Sequence, residues 1–208
     1  MISASVSFIA FNCQKEPFNN VKVRQALHYA VDKQTIIDVI YEGYGVPCNS
    51  VLPTMMPGYD SELNIYSYDL EKAKQLLTEA GYPDGLGRPI EICVSSDERN
   101  RAAQILQSDY AQIGIELDIA VMEFGTLMEH CNVGTHDLFI LGWGHATNQD
   151  RTMRNNFHSD SIGPTGNRSW CNNPEIDELI DAGAREMDTE KREEIYKELQ
   201  YIIMDECV

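Results

Sequence analysis

Ile90-Glu91-Ile92-Cys93-Val94 alternates apolar and polar side chains, the two-residue period of a strand with one buried face. Ser95 and Glu98 follow in capping-box spacing and open a helix expected to run to Ile113, burying Ala102, Ile105, Leu106 and Tyr110. Gly114 ends that helix, and residues 115–121 alternate again. A short helix is expected over 125–131, and Asp137-Leu138-Phe139-Ile140-Leu141 closes the series as a third strand. Strand, helix, strand, helix, strand implies an α/β fold with a mainly parallel sheet, right-handed crossovers and helices on its faces.

Upstream, residues 6–13 form an apolar run with Phe8, Ile9 and Phe11 and read as a strand. Asn19 and Asn20 offer caps for a helix over 21–30, and Asp32 caps another over 33–41 with Ile36, Ile37 and Ile40 on one side. Residues 43–67 lose all periodicity, an irregular excursion rich in Gly, Pro, Asn and Tyr. Asp69 caps a helix over 70–80 with an apolar stripe of Leu70, Ala73, Leu76, Leu77 and Ala80, stopped by Gly81. Downstream, residues 142–172 show no sustained period. Asn173-Pro174 then starts a helix facing inward with Ile176, Leu179, Ile180 and Gly183, because proline at the first helical position loses no needed N–H. Asp188 or Thr189 caps a last helix carrying Ile195, Leu199, Ile202 and Ile203.

The 208 residues are 43% hydrophobic and 24% charged, enough to bury a core. A formal charge of −17, from 33 acidic and 16 basic side chains, opposes nucleic acid and anionic lipid and tolerates cationic or zwitterionic solutes. No apolar run is long enough for a membrane helix. Met1-Ile2-Ser3-Ala4-Ser5 lacks the features of a secretion signal, which leaves a cytoplasmic protein or a piece of a longer secreted chain. The six cysteines are widely scattered, read as isolated thiols that behave as small hydrophobes, although pairing across the fold stays open.

Ligands of open α/β sheets bind outside the carboxyl ends of the strands. The third strand ends in Gly142-Trp143-Gly144-His145-Ala146-Thr147-Asn148, a glycine-flanked aromatic followed by polar groups. Gly142, Trp143, Gly144, His145, Thr147 and Asn148 are therefore candidate ligand-binding residues, against plain loop packing. Farther on, Gly166-Asn167-Arg168-Ser169-Trp170 sets a guanidinium beside an indole, and Arg168 and Trp170 join the candidates. Arg168 suits a carboxylate held by two parallel hydrogen bonds, or equally a surface acid.

Four stretches, in order, carry a family resemblance. They are Phe18-Asn19-Asn20-Val21-Lys22-Val23-Arg24-Gln25-Ala26-Leu27 running into Ala30-Val31-Asp32-Lys33, then residues 68–85 around Leu76-Leu77-Thr78-Glu79-Ala80-Gly81-Tyr82-Pro83. The third joins Ala111-Gln112-Ile113-Gly114-Ile115 to His136-Asp137 and Gly142-Trp143, and the fourth is Asn172-Asn173-Pro174-Glu175-Ile176-Asp177 with the closing helix. Together they resemble the peptide/nickel class of bacterial extracellular solute-binding proteins, family 5. The resemblance implies a periplasmic-binding-protein-like (class II) architecture of two lobes that close on a ligand and hand it to an ATP-driven importer. Residues 1–208 are then expected to be a single lobe, the C-terminal one, with the N-terminal lobe and the signal or anchor upstream. Implied with it are an extracytoplasmic location (periplasm or lipoprotein), a di- or oligopeptide, glutathione-like or small zwitterionic ligand, an ABC transporter permease as partner, a monomer, and no cofactor. Half a clamp is expected to bind weakly, since both lobes exclude water from the ligand.

Many peptide binders of the family carry an aspartate after the Gly-Trp that pairs with the ligand's amino group. Here that position is Ala146, and the nearest acid is Asp150 at a different spacing. Residues 157–159 and 166–169 resemble members that take dipeptides or glutathione-like solutes. Nickel or metal-complex binding is the alternative within the family, although His130, Cys131, His136, His145 and His158 lack metal-ligand spacing. A hydrolase would need a nucleophile, base and orienting acid, and no G-x-S-x-G elbow occurs. An inert interaction module is disfavoured by the two long excursions.

Overall fold

The computed structural model describes residues 5–54, 56, 58–63, 66–144 and 148–206, with the backbone alone at positions 143 and 144. Strand β1 (Ser5–Phe11) leads into helices α1 (Val21–Tyr29), α2 (Lys33–Ile40) and α3 (Leu70–Glu79). Then come β2 (Ile90–Val94), α4 (Asp97–Ala111), β3 (Leu117–Val121), α5 (Phe124–Val133) and β4 (Leu138–Gly144). Helices α6 (Gln149–Phe157), α7 (Pro174–Arg185) and α8 (Thr189–Asp205) complete the chain, with 3-10 turns at Ser159–Ser161 and Gly163–Thr165.

Short polar side chains start the helices by accepting from backbone N–H groups that a first turn leaves free. Asn20 accepts from Lys22 N, Asp32 from Thr35 N, Asp69 from Lys72 N, Asn173 from Glu175 N, and Asp188 from both Glu190 N and Lys191 N. The cap of α4 is Ser96, one residue later than the pattern implied, and the helix buries Ala103, Leu106, Asp109 and Tyr110. Ala102 and Ile105 are only half-buried.

The sheet order is β1-β4-β2-β3. Strand β2 runs parallel to β3, Ile90 opposite Leu117, and parallel to β4, Ile92 opposite Leu138. The sheet is mixed, because β1 lies antiparallel to β4 with Ser5 opposite Gly144 and Phe11 opposite Leu138. The amino end of β1 therefore shares one edge with the carboxyl end of β4.

Alternation along the strands divides the core. Phe11, Ile92, Val94, Leu138 and Ile140 pack under α1, α3 and α4, with Leu27, Leu77, Leu106 and Tyr110 of those helices and Phe18 of the turn before α1 buried there. Ala10, Cys93 and Phe139 face the other way, against Leu127 and Cys131 of α5. A third cluster joins Met153 and Phe157 of α6, Ile176 and Ile180 of α7, and Tyr196, Leu199 and Ile203 of α8 to Leu52 and Met56. The aperiodic 142–172 stretch thus contains a helix, α6, whose buried side reduces to Met153 and Phe157 among polar residues. On α8 the inward residues are Tyr196, Leu199, Gln200 and Ile203, while Ile195 is half-exposed.

Gln200 explains how an irregular excursion is held. Fully buried, it accepts from Ser50 Oγ at 2.6 Å and from Asp60 N at 3.3 Å, and donates to Gly58 O at 2.7 Å. A buried amide must find partners, and here they are the backbone and hydroxyl groups of an otherwise aperiodic segment.

Candidate functional site

The carboxyl end of the sheet is formed by Val94, Val121 and Gly144, with Ser5 and Ser7 of β1 alongside. Gly142 pairs with Ser7 there. A Cβ at Gly142 would stand 2.9 Å from Val6 O, too close for any other residue without movement, and 3.7 Å from Arg99 Nη2. Arg99 comes from the first turn of α4, and its Nη1 reaches Ser95 Oγ at 3.5 Å. Beside it the Tyr41 hydroxyl donates to Glu98 Oε1 at 2.9 Å. Burial, followed by smaller opposing effects of Ser7 and Glu98, raises the Tyr41 hydroxyl above its ordinary range, so it stays a neutral donor.

Trp143 continues β4 opposite Val6 and so belongs to this edge by its backbone position. His145 and Thr147 lie outside the described residues, as does Ala146. Asn148 caps α6, its Oδ1 accepting from Arg151 N at 2.8 Å. Asp150, the first acid after the Gly-Trp, accepts a hydrogen bond from the buried Tyr196 hydroxyl. Burial and then that carboxylate raise the tyrosine's pKa. Asp150 therefore ties α6 to α8.

Arg168 and Trp170 sit elsewhere. Asn12 N donates to Asp137 O and Cys13 N to Ser169 O, which places this loop at the amino ends of the parallel strands. The length of β4 separates it from Gly144, about 20 Å at a strand's rise per residue. There Arg168 Nε donates to Asn132 Oδ1 at 3.0 Å, and Trp170 Nε1 donates to Cys131 O at 2.9 Å, both on α5. The structure thus separates the candidates: Gly142, Trp143 and Gly144 lie at the carboxyl end of β4 and Asn148 caps α6, while Arg168 and Trp170 brace the end of α5. The sequence placed an arginine and an indole two residues apart, but only the crossover direction assigns them an end of the sheet.

Arg99 and Tyr41 escaped the sequence reading because each stands at the end of a helix and presents no motif. The signal that finds Arg99 is its place five residues after β2 ends, where a first-turn side chain overhangs the strand tips.

Reactive groups are muted. The described cysteines, 13, 48, 93, 131 and 171, are free thiols. Burial pushes Cys13 up to about 11 and both Cys93 and Cys131 up to about 12, so thiolate nucleophiles are scarce near neutrality. Among the described residues, no group of three His, Cys, Asp or Glu side chains is arranged to hold a metal ion.

His136 is fully buried, its Nδ1 3.4 Å from His130 O, and burial lowers its pKa from 6.5 to about 4. Above the ordinary value the imidazole is neutral folded or unfolded. As pH falls from 6.5 toward 4, the unfolded chain takes up a proton that the folded one refuses, so stability declines. By about pH 5 the loss is expected to reach about 2 kcal/mol, read from urea midpoints. A ring signal of His136 titrating near 6.5 in NMR spectra of the folded protein would contradict this.

Residues 2–164 match the family described as bacterial extracellular solute-binding proteins, family 5 Middle, and the chain belongs to that family. Over 209 residues it is 37% identical to heme-binding protein A of Haemophilus influenzae, covering 98% of this chain and 38% of that protein. Over 214 residues it is 34% identical to the dipeptide-binding protein of Escherichia coli, covering 100% of this chain and 40% of that one. Among solved structures it superimposes, with a TM-score of 0.91 and 31% identity, on the periplasmic binding protein DppA of Helicobacter pylori in complex with the peptide STSA. That match covers 99% of this chain and 41% of the other. The chain spans about two fifths of the length of these relatives. The fold is that of the periplasmic binding proteins, and the family and its solved neighbours are substrate-binding transport proteins.

Proposed function

We propose that residues 1–208 are one lobe of a two-lobed extracytoplasmic receptor that captures a peptide and delivers it to an ATP-driven membrane importer. The observation that carries this is the carboxyl edge of the sheet, where Gly142 brings the β4 backbone against Val6 O and the chain leaves through Trp143 into residues 145–148. Relatives at 31–34% identity are named for dipeptides or were solved with a peptide, which favours that ligand class. Among the described residues no helix is long and apolar enough to cross a membrane, so delivery would rest on a separate permease.

In this reading Trp143, with Gly142, Gly144, His145, Thr147 and Asn148, lines the ligand side, and Trp143 is the aromatic on which a ligand stacks. Aromatic anchors dominate binding energy where they are desolvated. Trp143→Ala in the full-length gene product is expected to weaken peptide binding about tenfold or more, with little change in the urea midpoint, as measured by calorimetry. Retention of wild-type affinity would remove Trp143 from the site. Mass spectrometry of small molecules that co-purify with the full-length protein tests the function itself. The relative named for heme supplies the competing outcome: a Soret band on heme titration, with no peptide recovered, would replace the peptide reading.

A further inference from the structure

We infer that Tyr44, with Val39 and Val46 around the end of α2, is a latch that meets the opposite lobe of the full-length protein when the two close. The inference rests on the two-lobed reading and names the surface through which this lobe holds the closed form, apart from any contact with the ligand.

Helix α2 runs antiparallel to α4. At its start Asp32 N donates to Asp109 Oδ2, late in α4, at 3.2 Å. At its other end Arg101 Nη2 donates to Val39 O at 3.0 Å, and the Tyr41 hydroxyl to Glu98. Since α4 opens just beyond the end of β2, the last turn of α2 stands on the carboxyl side of the sheet, where the ligand is proposed to bind. Three apolar side chains face solvent there: Tyr44 is 87% exposed, Val46 70% and Val39 51%. The turn that presents the tyrosine is fixed by hydrogen bonds, from Gly43 N to Ile37 O at 3.1 Å and from Tyr44 N to Tyr41 O at 2.7 Å. It also takes two consecutive left-handed residues, Glu42 at φ 53° and Gly43 at φ 79°, the first of which is not a glycine. A backbone held in a sparsely populated conformation to present a bare tyrosine points to a contact surface.

Size and charge select the partner. Three such side chains offer roughly a few hundred Å², whereas a stable complex between separate molecules buries about 1,200–2,000 Å². A patch this small suffices for a partner on the same polypeptide, where linkage raises the effective concentration. The relatives supply such a partner, since the match covers only 38% and 40% of their lengths. A second copy is opposed by charge, −17 on each chain.

The test places the photoreactive residue benzoylphenylalanine, in the full-length protein, at position 44 or, as a control, at position 133. Val133 is 59% exposed beside Gly134, whose carbonyl accepts from Asn12 at the amino end of the sheet. Each protein is irradiated with and without an equimolar library of di- to tetrapeptides, and cross-links are mapped by mass spectrometry. Position 44 is expected to join, within one polypeptide, to residues outside 1–208, with a yield that rises on adding the library, and position 133 is not. The double variant Tyr44→Ser, Val46→Ser is expected to release peptide about tenfold faster, with the urea midpoint unchanged. Cross-links confined to residues 1–208, or joining two copies, would overturn the latch and leave a peptide receptor intact. Unchanged release with lost ATPase stimulation in the reconstituted importer would give the patch to the permease instead. If wild type bound no peptide while position 44 still joined the outer segment, the peptide reading would fall and the latch would stand.

Discussion

Asp137→Ala is expected to cost about 3 kcal/mol of stability, the loss of a largely buried ion-pair centre, read as a lowered urea midpoint. The carboxylate is 4% exposed and accepts four hydrogen bonds or ion-pair contacts at the amino end of β4. Arg88 donates through Nη1 at 2.7 Å and Nη2 at 3.2 Å, Glu91 N donates at 3.1 Å, and Lys15 Nζ lies at 2.8 Å. Two effects set the size. Arg88 and Lys15 are about two-fifths exposed and would rehydrate, which holds the cost below that of a fully buried pair. The Glu91 N–H would lose its side-chain acceptor at the entry to β2, which keeps the cost above that of a surface pair. Asp137→Asn preserves the shape and one acceptor and is expected to lose about half as much.

Burial alone would raise the Asp137 carboxyl, but the Arg88 and Lys15 donors outweigh it and hold it below the ordinary carboxylate range. Its stabilisation is therefore present above the ordinary carboxylate pKa and is lost as pH falls through the lowered folded value. His136 acts earlier, between 6.5 and about 4. Acid unfolding should show two successive losses from neighbouring residues. A shift below about 1 kcal/mol for Asp137→Ala would mean the cluster is no stronger than an ordinary surface pair.

Trp170→Ala is expected to destabilise the lobe by about 3 kcal/mol and to leave the ligand affinity of the full-length protein unchanged. The indole fills the end of α5: its Nε1–H satisfies Cys131 O, and its ring lies over Gly134. Gly134 ends the helix at φ 71°, and a Cβ there would stand 2.7 Å from Trp170 Cε2. Gly134→Ala attacks the same contact from the other side, adding backbone strain to overpacking, and should destabilise by a similar amount. The pair of measurements separates two roles. Stability lost with affinity retained makes Trp170 a brace, whereas affinity lost with stability retained would return it to the ligand site.

Much of the architecture was legible because its signals are local. The alternation of Ile90 to Val94, the caps at Asn20, Asp32, Asp69 and Asn173, and the stripe through Leu76 and Leu77 act over one to four residues. Helix α6 was hidden because its buried face reduces to Met153 and Phe157, too few apolar residues to mark a period. The direction of β1 was equally silent, since a strand's alternation is the same whichever way its neighbour runs.

The candidate site divides on the same principle. Gly142-Trp143 could be placed at a strand's carboxyl end because the strand and its direction of travel are both written in the local pattern. Arg168 and Trp170 looked equivalent to them, yet they pack on α5 at the opposite edge. Asp150 looked available and is held by Tyr196 from a helix more than forty residues away. Arg99 and Gly142 are likewise 43 residues apart in number and adjacent in space.

The amino-acid order alone therefore determined most of the strands and helices and that they build an α/β sheet, because short-range periodicity and capping are decided within a turn or two. Which distant side chains meet at each edge, and so which indole packs on the end of α5, was decided only by the packed structure. Those meetings depend on crossovers and on the competition of every polar group for a partner, quantities that no short stretch of chain contains.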